Sequence, residues 1–231
     1  MQTGSVEQRI LYEDNHLLIV NKLAGELVQP DKDHTLSLED TLKEYLRSKN
    51  GKTGNIFLGV IHRIDRPVSG TVVFAKSSKA LSRMNRLLQE KKITKTYWAI
   101  VAERPDAPEA TLVHHLVRNT RNNTVKVFDK ATAESQEAIL KYRVIADSDH
   151  YFLLEVHLIT GRHHQIRAQL SHAGMAIKGD LKYGAPRSNP DGSISLHARS
   201  VTFVHPVSQE ALHITAPVPQ DKLWQFFEKS G

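Results

Sequence analysis

Three short segments carry side chains whose types and spacing suit catalysis. The first, Gly59 to Gly70 (GVIHRIDRPVSG), sets Asp65 between Arg63 and Arg66 in a tight, positively charged loop, with an apolar strand at Thr71 to Ala75 directly after it. Few structural roles need a carboxylate there, although a lone Asp of this kind is ordinarily a turn or ion-pair residue. The second segment is Leu158 to Leu170 (LITGRHHQIRAQL). Gly161 is suited to take the backbone out of a strand at positive φ, and the following helix is expected to place His163, Arg167 and Ser171 one turn apart on one face. An Arg held on a rigid helix can fork a carboxylate with two parallel hydrogen bonds. The third segment, Lys95 to Ile100 (KTYWAI), opens a strand with Tyr97 right after a basic stretch. Taken singly, that ring reads as a core aromatic at a sheet edge sooner than as a catalytic group.

Composition narrows the chemistry further. The 231 residues include no Cys, which excludes disulfides, thiolate metal sites and a Cys nucleophile. Thirteen His are present, among them His62, His114, His115, His163 and His164, but no HExxH pattern occurs, and adjacent His residues rarely converge on one ion. No metal is expected. A hydrophobic fraction of 40% with 24% charged residues is that of an ordinary globular chain. Lys and Arg outnumber Asp and Glu by 31 to 25, a net charge of +6, which favours a polyanionic partner. Apolar runs such as Leu17 to Val20 and Tyr151 to Leu154 are far too short to span a bilayer, and the opening MQTGSVEQRI lacks the pattern of a signal peptide. A cytoplasmic protein with no membrane association is therefore expected.

The elements that must hold these groups can be placed coarsely. Residues 9 to 22 read as two strands around Asp14-Asn15. Ser37 is expected to cap a helix with Asp40 three residues on, with Leu38, Leu42, Tyr45 and Leu46 as its apolar stripe and Gly51 at its end. A second helix after Ser77-Ser78 carries Ala80, Leu81, Met84, Leu87 and Leu88 on one face. Arg83 and Arg86 on its other face lead into Lys91, Lys92 and Lys95, either a solvated face or a phosphate track. Strand-like runs follow at Tyr97 to Ala102, Ala110 to Val117, Thr124 to Phe128, Ala138 to Ile145 and Tyr151 to Thr160. A helix from about His164 to His172, a loop at Tyr183 to Ser193, and strands at Leu196 to Val204 and Ala211 to Ile214 complete the pass. Trp224, Phe226 and Phe227 are expected to dock a C-terminal helix. Helices and antiparallel strands without regular alternation predict an α+β fold with a largely antiparallel mixed sheet and flanking helices.

Taken together, the motifs resemble those of the RluA-type pseudouridine synthases. HRIDRPVSG is similar to the family's HRLDxxTSG, TGRHHQIRAQL to its TGRxHQIRxH, and Lys95 with Tyr97 to its K-x-Y strand. NKLAG at Asn21 to Gly25, KGDLKYG at Lys178 to Gly184 and LHARSVTFVHP at Leu196 to Pro206 agree as well. Leu23, Ile64, Val68 and Gln169 depart from the usual Pro, Leu, Thr and His. The resemblance implies a single catalytic domain over residues 1–231, without the separate N-terminal RNA-binding domain that many relatives carry.

The implied activity is isomerisation of uridine in ribosomal or transfer RNA to pseudouridine, with RNA as the partner, no cofactor and a monomeric enzyme. Asp65 is implied as the essential carboxylate, Arg167 as its ion-pair partner and Tyr97 as the aromatic beside the base. His62, Arg63, Arg66, Arg162, His164 and Gln165 are the expected substrate-binding residues, with Arg63 suited to plug the stack that an extruded base leaves. Burial raises a carboxyl pKa and an adjacent Arg lowers it; with Arg167 and loop amides as donors the anion is expected to dominate. That anion suits a nucleophile on the ribose or uracil, or a base at the ribose. Two rival readings are a carboxylate glycosidase, which ordinarily needs two acids, and a binding-only RNA module, which needs no such trio.

Overall fold

The computed structural model describes residues 5–51 and 54–230. In chain order the elements are β1 (Ile10–Glu13), β2 (Leu17–Lys22), α1 (Leu38–Asn50), β3 (Gly59–Val60), β4 (Ser69–Ala75), α2 (Ser78–Gln89), β5 (Thr94–Val101), β6 (Glu109–Asn119) and β7 (Thr124–Phe128). They continue with β8 (Gln136–Asp147), β9 (Phe152–Leu158), α3 (Gln165–His172), β10 (Leu196–Val204), β11 (Ala211–Thr215) and α4 (Lys222–Ser230). The fold is α+β, as expected. Two compact units divide the chain: Met1–Lys95 with Ala198–Gln220, and Thr96–His197 with Asp221–Gly231. No helix among the described residues is long and apolar enough to cross a membrane.

In the first unit β2 pairs antiparallel with β1 and β4, and β3 adds to β4. β2 and β4 are buried along their whole lengths, which their unbroken apolar runs LLIV and VVFA require. One core cluster joins Leu17, Ile19, Val73, Ala75 and Met84 to Val201 and Phe203 of β10. Ser37 and Asp40 form the expected capping box on α1, and Gly51 closes that helix at φ 60. Leu38, Leu42 and Leu46 are buried along its stripe, with Tyr45 only partly so. Part of the basic flank on and after α2 is engaged within the unit. Arg86 and Lys92 both pair with Glu90, and Arg83 donates to the Pro206 carbonyl.

In the second unit the strand order is β5-β9-β8-β6-β7, each neighbouring pair antiparallel. Ala168 of α3 packs with Leu116, Val125, Ala138 and Tyr183 against this sheet. A 3-10 turn at Leu181–Tyr183 leads into the segment expected as loop and shares only Tyr183 with it. Two expectations are corrected here. Phe226 is 47% exposed, because only Trp224 and Phe227, three residues apart, share the inner face of α4. His163 does not lie on α3, because His164 takes the left-handed conformation at φ 50 and the helix begins at Gln165.

Candidate active site

Asp65 stands in the loop between β3 and β4. Ile61, Ile64 and Val68 are buried beneath it, while Arg63 and Arg66 are exposed and Asp65 is half-buried. The Val68 amide donates to the Asp65 carbonyl at 3.0 Å, closing a turn over Arg66-Pro67. Alternate burial thus anchors the loop by its apolar members and presents the carboxylate and both guanidinium groups. His62 is buried, and its Nε2 accepts the Val73 amide at 3.3 Å. Burial, reinforced by the charge of Lys95, pulls its pKa down to about 3. The ring is therefore neutral at physiological pH and props the loop against β4.

Lys22, which sequence reasoning flagged only as part of a motif, is the loop's main brace. Its side chain is fully buried and donates to the carbonyls of Leu23 (2.8 Å), Glu26 (2.8 Å) and Arg66 (3.1 Å). Arg66 completes the junction, since its Nε donates to the Gly25 carbonyl (2.9 Å) and its own carbonyl accepts the Gly25 amide (2.7 Å). Gly25 sits at φ 91, so a side chain there would be strained. Burial pulls the Lys22 pKa down to about 7, against the opposing pull of Glu26 and Asp65.

A pH dependence of stability follows. An unfolded Lys titrates near ~10.4 and the folded one near 7, so between these values the unfolded chain holds the extra proton and stability from this site rises with pH. Below pH 7 both states are protonated and the cost of burying the cation is fully present. Lys22→Met is expected to strip the Leu23 and Glu26 carbonyls of this donor, while the Arg66 carbonyl keeps the Gly25 amide, and to cost at least ~2 kcal/mol. Urea unfolding at pH 7 and pH 9.5 checks both points. The wild type should gain more stability than the variant on going to the higher pH, and equal gains would disprove the link.

In the second unit Tyr97 lies on β5 opposite Val156, whose other neighbour is Tyr142 on β8, and all three are buried. The turn after β9 is knotted by Gln165. Its Oε1 accepts from Thr160 Oγ1 and the Arg162 amide, both at 2.9 Å, and its Nε2 donates to the Ile139 carbonyl at 3.1 Å. Arg162 Nε donates to the Glu137 carbonyl at 3.1 Å. Gly161 is not among the glycines at positive φ, contrary to expectation; the chain reverses through His164 instead. The His164 ring stacks on His163 with centroids 3.8 Å apart, and its Nδ1 is 2.8 Å from the Tyr183 hydroxyl.

Arg167, on the short helix α3, does fork a carboxylate. Within its own unit that carboxylate is Asp180: Nε donates to Oδ2 at 2.7 Å and Nη2 to Oδ1 at 2.8 Å. Both residues are buried, Arg167 at 5% exposure and Asp180 at 1%. The guanidinium also lies over the Tyr183 ring, 5.0 Å from its centroid. Each unit therefore gathers its own set. His62, Arg63, Asp65 and Arg66 share one braced loop, while Arg162, His164, Gln165 and Arg167 surround the start of α3, with Tyr97 on β5. Lys22, Asp180 and Tyr183 are the residues that site reasoning passed over.

One cluster in the second unit has the composition of a metal site. His172 Nε2 is 2.8 Å and His114 Nε2 4.0 Å from Asp129 Oδ1. The Gln169 amide lies 3.0 Å from His114 Nδ1. An amide donor there makes Nδ1 the acceptor and leaves the ring proton on Nε2, facing Asp129. That tautomer turns a proton toward the carboxylate across 4.0 Å and opposes metal ligation through Nε2.

Comparison with known proteins agrees with the motifs. A family model described as RNA pseudouridylate synthase matches residues 16–172. An uncharacterized RNA pseudouridine synthase of Chlorobaculum parvum is 33% identical, covering 92% of this chain and 71% of that protein. The tRNA pseudouridine synthase C of Vibrio parahaemolyticus is 32% identical over 95% of this chain and 93% of its own. Among solved structures, human RNA Pseudouridylate Synthase Domain Containing 4 shares the fold with a TM-score of 0.79, covering 96% of this chain and 93% of that one at 23% identity. The chain thus belongs to the RNA pseudouridine synthase family, whose members are isomerases that convert uridine in RNA to pseudouridine.

Proposed function

We propose that this enzyme modifies a uridine of ribosomal or transfer RNA, with Asp65 as the essential carboxylate, Arg167 its counter-ion and Tyr97 the ring beside the base. Residues 1–231 act in this reading as one catalytic domain on one uridine. The observation that carries it is Asp65 itself: a half-buried carboxylate on a loop fixed by buried neighbours on both sides and presented between two exposed arginines. Such a loop suits an anionic substrate better than the neutral sugar of a glycosidase. A binding-only module would have no use for a rigidly aimed acid.

The chemistry is an isomerisation in which nothing enters or leaves. The bond from N1 to the ribose breaks, the uracil rotates, C5 bonds to the ribose, and the proton lost from C5 is balanced by one gained at N1. A uridine in folded RNA must first be extruded, at a few kcal/mol. Stacking on Tyr97 returns ~1 to 3 kcal/mol of this, and Arg63, exposed on the same loop as Asp65, fills the vacated stack. The carboxylate serves as a nucleophile toward ribose or uracil, or as a base at the ribose; each of these roles needs the anion.

The relatives include proteins named for transfer RNA and for the ribosomal large subunit. Mapping of pseudouridine in total cellular RNA, with and without this protein, tests the reading. A defined position that loses its pseudouridine in one of those two RNA classes supports it, and an unchanged map refutes it. With a net charge of +6, affinity for that RNA should fall at least about tenfold between 50 and 200 mM salt, as expected for ~3 phosphate contacts on a single strand. Filter binding across that range checks this, and a flat response would remove phosphate tracking from the account.

A further inference from the structure

We infer that Asp180 is a positioning residue for the reaction: it sets the direction in which Arg167 presents its guanidinium. The inference rests on the reading above that Arg167 serves catalysis, and concerns what holds that residue in place. α3 is only eight residues long, and an Arg side chain is long and rotatable, so the helix alone does not aim the charge. Asp180 occupies the side of the guanidinium formed by Nε and Nη2. The edge that includes Nη1 is thereby turned away from Asp180, and rotation about the end of the side chain would break both bonds.

Asp180 is itself immobilised. Its amide donates to the Ile177 carbonyl, and its carbonyl accepts the amides of Tyr183 and Ala185, each at 3.0 Å. The preceding Gly179 has φ 87, and a Cβ there would meet the Asn189 side chain and the Ser193 carbonyl at 2.8 Å. Tyr183 packs its ring against the guanidinium, 5.0 Å from centroid to Cζ. Its hydroxyl accepts the Val125 amide at 2.9 Å and meets His164 Nδ1 at 2.8 Å, which fixes the ring beside the charge. KGDLKYG is therefore a bracket around one side chain.

Stability alone does not account for this arrangement. A buried ion pair is commonly no more stabilising than apolar residues of the same volume, because both charges must be desolvated. A bidentate pair does supply orientation, and misplacement of a catalytic group by ~1 Å can cost about 100-fold in rate.

The test uses the full-length protein with large-subunit ribosomal RNA transcript and a pool of unmodified transfer RNA transcripts. Single-turnover pseudouridine formation and RNA affinity are measured for Asp180→Asn, Asp180→Glu, Arg167→Met and the Asp180→Asn/Arg167→Met double variant. Asp180→Asn should lose about 100-fold in rate with the dissociation constant within about twofold of wild type, and Asp180→Glu should recover part of that loss. The double variant should be no slower than Arg167→Met alone, since both act through one guanidinium. If Asp180→Asn does not fold, the Glu and double variants carry the comparison, because the first keeps the charge and the second removes both. Wild-type turnover by Asp180→Asn beside an inactive Arg167→Met would overturn the inference and leave the role of Arg167 standing. Additive losses in the double variant would also overturn it. Full activity of Arg167→Met would overturn the underlying reading instead.

Discussion

Replacing Asp65 by Asn is expected to lower the single-turnover rate of pseudouridine formation at least ~1,000-fold while RNA affinity stays within about twofold. The amide has the shape of the carboxylate and keeps its ability to accept hydrogen bonds, but it is neither a competent base nor a nucleophile. Loss of a positioned acid or base alone typically costs ~100- to 10,000-fold, and loss of a covalent route adds to it. The substitution should leave the loop standing, because buried side chains and backbone bonds hold its shape. Ile64 and Val68 anchor it from within, the turn bond uses the Asp65 backbone carbonyl, and Lys22 and Gly25 hold it through the Arg66 carbonyl. The measurement pairs single-turnover kinetics with filter binding on the same RNA. Undiminished conversion by the Asn variant would remove Asp65 from the chemistry. A parallel collapse of affinity would assign it to binding instead.

Much of the scaffold was legible because local rules govern it. Ser37 with Asp40 announced the start of α1, Gly51 its end, and the runs at Leu17 to Val20 and Thr71 to Ala75 two buried strands. The Asp65 loop stood out by its composition. Other features depend on partners remote in the chain. Lys22 reads as the polar end of a strand, and its importance appears only when the carbonyl of Arg66, 44 residues on, is found above it. Backbone carbonyls carry no signature in a sequence. Asp180 lies only 13 residues from Arg167, but across a turn whose shape is set by Gly179 and Asn189, so spacing could not pair them. His163 was placed on a helix that starts two residues later, because the left-handed residue is His164 and not the glycine that normally signals such a turn. Phe226 shows the converse: three aromatics in four positions cannot all face one side of a helix.

Gly70→Ala is expected to be the most destabilising of the small substitutions near the site. Gly70 lies in β4, five residues beyond Asp65, with φ 115, a conformation that costs a non-glycine residue ~1 to 3 kcal/mol. A Cβ there would also be driven into the backbone of Ala198, 2.6 Å from its nitrogen and 2.7 Å from its carbonyl carbon, and into the carbonyl oxygen itself. These atoms belong to β10 and have no flexible end to swing aside. Thr71 Oγ1 donates to the Ala198 carbonyl at 3.1 Å, and the next residue, Arg199, is fastened to Ala216 by its carbonyl and its guanidinium at 2.8 and 2.6 Å. Relief requires the two strands to separate, which adds ~1 to 3 kcal/mol of overpacking strain. Together the terms reach about 2 to 6 kcal/mol, a large share of the ~5 to 15 kcal/mol that stabilises a typical domain. Gly161→Ala supplies the control. Gly161 lies in the turn between β9 and α3 but is not at positive φ, and a Cβ there meets nothing within 4 Å, so its replacement should be neutral or slightly stabilising. Urea midpoints of the two variants against wild type decide the matter. A Gly70→Ala protein as stable as Gly161→Ala would show that the strands beside the Asp65 loop do not approach as closely as this account requires.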